Sequence, residues 1–94
     1  MHNVHAQYQI MQLTILTPEK EIFSGTIKSL KVPGTSGQFE ILSGHAPIVS
    51  SLAGGEVRVL DDQGERLVYT IERGFVEVLN DEVSLLVRGL TTTE

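Results

Sequence analysis

The chain has 94 residues, 40% of them hydrophobic, with a formal net charge of −5 and no cysteine. That length suits one domain with a modest core, and the lack of cysteine excludes disulfides and thiolate metal sites. Acidity, with Lys and Arg scattered, argues against a nucleic-acid surface, which needs a basic stripe to displace counterions.

Residues 1–10, MHNVHAQYQI, read as an arm ahead of the domain, either a tag remnant or the product of an upstream start. They lack the basic-then-apolar pattern of a signal peptide, and His2 and His5 alone make a poor metal site. The domain is expected over residues 11–90. MQLTIL alternates, with Leu13 and Ile15 on one face. IFSGTIKSLKV predicts a long strand whose apolar parity changes between Ile27 and the pair Leu30 and Val32; a one-residue bulge near Lys28 or Ser29 keeps both sets facing inward.

EVRVL and RLVYTI flank DDQG, a hairpin signal. GFVEVL and EVSLLVR flank Asn80-Asp81, a second tight turn, and Val83, Leu85 and Val87 share a face. Phe23 and Phe75 occupy apparent core positions. Residues 91–94, TTTE, read as a C-terminal tail with no helical period. About eight short strands with turns every 8–12 residues or so predict an all-β fold, a flattened sandwich or barrel. No apolar run approaches the roughly 20 residues of a membrane span, so membrane association is expected only through a complex.

Catalytic constellations are missing. No serine sits in a Gly-x-Ser-x-Gly elbow, and the glycines of VPGTSGQF lack a Walker lysine. His45, inside GQFEILSGHAP, has no second histidine near it in sequence and reads as a loop residue rather than a catalyst or ligand. The residues alone describe a non-catalytic β domain with no cofactor or metal site and an unusual glycine-rich centre.

That centre carries a resemblance. Phe23-Ser24-Gly25, Val32-Pro33-Gly34, Gly37-Gln38-Phe39, Leu42, Gly44-His45-Ala46-Pro47 and Gly55-Glu56-Val57-Arg58-Val59 follow one another as in the N-terminal β-domain of the F-type ATP synthase epsilon subunit. Gly74, Phe75, Glu77 and Val78 match the family's Gly-Gly-Phe-x-Glu-Val segment. The resemblance covers about residues 11–90.

It implies two packed antiparallel sheets and a mechanical role, linking the gamma subunit to the c-ring in the central stalk. It further implies a peripheral place at the cytoplasmic face of the bacterial inner membrane. Carried over by position, Thr17, His45, Ala46, Val49 and Ser50 are expected at the gamma face, and Gly34, Thr35, Ser36, Gly37 and Gln38 at the c-ring. Glu40, Ser43 and Gln38 depart from the family's usual glycine, proline and glutamate. Ser43 should make its loop less rigid, because it frees φ and restores an N–H. The inhibitory pair of C-terminal helices found in most members has no counterpart here, as in a natural short form or a truncated chain. The alternatives are a stand-alone β-sandwich that binds a small ligand or peptide, and a small hydrolase or metal enzyme. Five aromatics and no catalytic set speak against them.

Overall fold

A computed structural model describes residues 9–93; the arm's two histidines lie outside the described residues. Nine strands follow one another: β1 (Met11–Leu16), β2 (Glu21–Gly34), β3 (Gly37–Leu42), β4 (Ile48–Leu52), β5 (Gly55–Asp61), β6 (Arg66–Ile71), β7 (Arg73–Leu79), β8 (Glu82–Arg88) and β9 (Thr91–Thr93). No helix occurs among the described residues.

The fourteen-residue β2 explains why the sheet closes into two layers. Its first half pairs with β1 through Met11↔Ile27 to Leu16↔Glu21. Its second half pairs with β3 on one side and β5 on the other. One layer therefore runs β3-β2-β5-β6-β9 and the other β2-β1-β8-β7-β4. The bend falls where sequence parity breaks. Ile27 faces Asp61 and Ser29 faces Leu60, so Lys28 is the extra residue of a bulge. Ile27, Leu30 and Val32 all point inward as a result.

Alternation builds the remaining core. Leu13 and Ile15 of β1, Val57 and Val59 of β5, Val76 and Val78 of β7, and Val83, Leu85 and Val87 of β8 are buried between the layers. No polar or charged residue is fully buried among the described residues. Tyr69 is the aromatic in this core, and desolvation pushes its phenol pKa above the ordinary value.

Both expected turns form. Asp61 Oδ1 accepts the backbone N–H groups of Gln63 and Glu65, closing the β5–β6 hairpin. Asn80 and Asp81 adopt φ of 51° and 61°, as a tight hairpin whose twist matches its strands requires.

Three features differ from the sequence expectation. The β1–β8 pairing is parallel, Gln12↔Glu82 to Leu16↔Leu86, because strands from distant parts of the chain come to lie side by side. Thr91–Thr93 forms a ninth strand on β6, opposite Val68–Thr70. Phe75 is not in the core: it is 55% exposed, because Val76 and Val78 take the inward parity of β7. Phe23 is half-buried and packs against the core.

Candidate protein-docking face

The outer surface of β1-β8-β7-β4 departs from the polar face usual for a half-buried sheet. Successive registers put Ser51 opposite Phe75, Phe75 opposite Leu86, and Leu86 opposite Leu16. An apolar row therefore crosses β7, β8 and β1, with Ser51 at its β4 end. Phe75 and Leu86 are 55% and 51% exposed, and Val49, on the same face of β4, is 74% exposed. Leu16, Thr17, Pro18, Ser51, Phe75 and Leu86 line an open groove of about 610 Å³. An exposed apolar cluster of this kind makes this face a candidate interaction surface.

A second feature is the loop from Ser43 to Pro47. Gly44 has φ of 84°, a conformation costly for a residue with Cβ. Its N–H donates to Asp81 Oδ1 at 2.7 Å, and the Ser43 hydroxyl donates to Asp81 Oδ2 at 3.3 Å. The His45 N–H donates to the Leu42 carbonyl at 3.0 Å. His45 Nδ1 lies 2.7 Å from the Ala46 carbonyl oxygen, so the proton belongs on Nδ1 and Nε2 is left for another partner. A serine at position 43 therefore does not leave the loop untethered. The hydroxyl and the neighbouring amide both reach the Asp81 carboxylate, whose role local sequence reading missed. The signal available was only an Asx residue in a turn; its loop partner lies 37 positions away.

Thr17 stands apart from this loop. It closes the β1–β2 turn, its hydroxyl donating to the Lys20 carbonyl and accepting from the Lys20 N–H. Leu16 is level with Leu86, while Gln12 is level with Glu82 beside the Asp81 turn. Four strand residues, about 13 Å, separate the two ends. Val49 and Ser50 also part company. The β4 pleat turns Val49 outward, while Ser50 alternates with it and lies on the side of Ile48 and Leu52. Val49 thus shares the outer face with Phe75 and Leu86, and Thr17 lines the groove beside them.

The segment from Gly34 to Gln38 is the β2–β3 hairpin, with Gly34 opposite Gly37. Thr35, Ser36, Gly37 and Gln38 are exposed; Gly34 is buried beneath the Phe39 ring. The Thr35 N–H donates to the Ser51 carbonyl, tying the hairpin to β4. This tip and the His45 loop stand at opposite ends of β3. Among the described residues, no three His, Asp or Glu side chains gather in a metal-binding cluster.

The fold is a small two-layer β-sandwich with an exposed apolar row on one outer face. The chain belongs to the ATP synthase Delta/Epsilon chain family, whose β-sandwich domain it matches over residues 10–92. It is 46% identical over 78 residues to the ATP synthase epsilon chain of Magnetococcus marinus, covering 82% of this chain and 56% of that protein. It is 41% identical over 81 residues to the epsilon chain of Chlorobium limicola, covering 85% and 91% respectively. The chain thus spans about half the length of several curated relatives and nearly all of others. A chain in the Euglena gracilis mitochondrial ATP synthase, solved with its OSCP, F1 and c-ring, superposes with a TM-score of 0.84 at 23% identity, covering 90% of this chain and 54% of that one. A chain of the Tetrahymena thermophila central stalk and c-ring gives 0.71 at 19% identity, covering 86% and 65%. These two likenesses establish the fold.

Proposed function

We propose that the chain is a non-catalytic rotor element of an ATP synthase central stalk, which couples the gamma subunit to the c-ring. The observation that carries this reading is the outward row of Phe75 and Leu86, with Val49 exposed on the same face, on a domain of the epsilon-chain family. Apolar surface of this kind is favourable to bury, at about 25 cal/mol per Å². A rigid two-layer sandwich also suits torque transfer better than a mobile loop would.

In this reading the outer face of β1-β8-β7-β4 meets gamma. Thr17 sits at one end of that face, and His45 and Ala46 at the other. Ser50 supports the strand from inside. The exposed β2–β3 tip, Thr35 to Gln38, with Gly34 holding its base, meets the c-ring. The domain lies on the cytoplasmic side of a bacterial inner membrane, attached only through the complex. It contributes no catalytic residue, cofactor or metal.

Gel filtration of the chain mixed with a cognate gamma subunit at micromolar concentration tests the reading. Co-elution is expected, with an interface on the order of 2,000 Å² in the assembled stalk. Separate elution of the two proteins would refute it.

A further inference from the structure

The docking face carries an ordered charge pattern as well as an apolar row. Arg73 of β7 stands directly opposite Arg88 of β8, and both are exposed. Like charges paired across a sheet destabilise it. Among the described residues neither guanidinium has an ion-pair or hydrogen-bond partner; the ion pair found there joins Arg58 to Glu56. Such a pairing is costly to keep in a protein of net charge −5 that has acidic residues to spare.

Alternation puts Arg73, Phe75 and Glu77 on the same outer side of β7. Along the strand the surface therefore reads positive, apolar, negative, in steps of two residues or about 7 Å. Both arginines also border the apolar groove. An α-helix advances about 6 Å in four residues, and its diameter of about 10 Å fits a face four strands wide, roughly 14 Å. The step length and the width match a helix laid along β7.

We infer that this face selects a partner helix bearing an acidic residue, an apolar residue and a basic residue at four-residue spacing. Its acid lies over Arg73 and Arg88, its apolar side chain between Phe75 and Leu86, and its base beside Glu77. The arginine pair thereby sets the direction in which the helix docks. A carboxylate accepts from two guanidinium groups, which relieves their mutual repulsion only in the complex. This inference rests on the proposed gamma docking and names the chemistry that orients it.

The test measures affinity for a cognate gamma subunit from low to high salt. It uses the unaltered chain, Arg73→Gln/Arg88→Gln and Arg73→Glu/Arg88→Glu. The glutamine pair should weaken binding about tenfold at low salt and flatten the salt dependence, and the glutamate pair should weaken it further. Thermal melts should show no loss of stability in the glutamine pair, since a repulsive contact is removed. Equal affinity and equal salt dependence in all three proteins would overturn the inference and leave gamma docking standing. No binding by the unaltered chain at any salt would overturn both. Mixed phosphatidylcholine–phosphatidylglycerol vesicles form the control. Arginine-dependent binding to them, with gamma affinity unchanged, would assign the pair to a lipid surface instead and refute the helix.

Discussion

Asp81 holds Gly44: its Oδ1 accepts the Gly44 N–H at 2.7 Å across 37 residues of sequence. The contact joins the β7–β8 turn to the loop that carries His45. It places a charge-assisted bond where Gly44 adopts its positive φ. Asp81→Ala should destabilise the domain by about 1–3 kcal/mol, through the lost bonds and a left-handed backbone position unsuited to alanine. Asp81→Asn should retain most of the stability, because asparagine tolerates that conformation and keeps an acceptor. Urea denaturation of both variants checks the ranking.

The pleat of β8 makes neighbouring leucines opposites. Leu85 is fully buried and Leu86 half-exposed. Leu85→Ala should cost about 2–5 kcal/mol of stability. Leu86→Ser should change stability by about 0.5 kcal/mol or less yet lose gamma binding. Paired melting and co-elution measurements separate the two roles.

Two glycines should fail for different reasons. A Cβ at Gly74 would stand 2.5 Å from the Leu86 carbonyl oxygen, which is backbone and cannot swing aside. A Cβ at Gly44 would meet nothing within 4 Å, and there the positive φ alone resists substitution. Gly74→Ala should cost about 1–3 kcal/mol by overpacking β7 against β8. Gly44→Ala should cost about 1–2 kcal/mol by strain. Amide exchange should show Gly74→Ala weakening the β7–β8 ladder and Gly44→Ala only the His45 loop.

Burial raises the Tyr69 phenol pKa, so the fold favours the neutral form. The stability this contributes is complete below the unfolded value of about 10. It is lost as pH rises through the higher folded value. Urea midpoints measured at pH 8 and pH 11 should fall more for the unaltered chain than for Tyr69→Phe. Equal falls would exclude Tyr69 as the titrating group.

Much of the β framework was legible in the residues. Leu13 with Ile15, and Val83 with Leu85 and Val87, declare their inward face by spacing alone, because a strand repeats every two residues. The parity break after Ile27 placed a bulge at Lys28 or Ser29 for the same reason, and it falls at Lys28. Asn80-Asp81 and Asp61 announced their turns because their side chains and backbone preferences act locally. The order of motifs from Phe23 to Val59 announced the family.

What the residues could not decide were relations across distance. Phe75 looked like core because it is apolar, but β7 has apolar residues on both parities, and only packing against the other layer shows that Val76 and Val78 win the inside. The separation of Thr17 from His45 follows from the parallel β1–β8 register, and no local pattern encodes a pairing between strands so far apart in sequence. The Asp81–Gly44 bond arises in the same way, whereas the Arg73–Arg88 pairing follows from the two-residue Asn80-Asp81 turn, which fixes the hairpin register. Local periodicity and turns determined most strands, their inward faces and their hairpins; tertiary pairing decided which strands distant in sequence are neighbours, and so which side chains share the exposed apolar face.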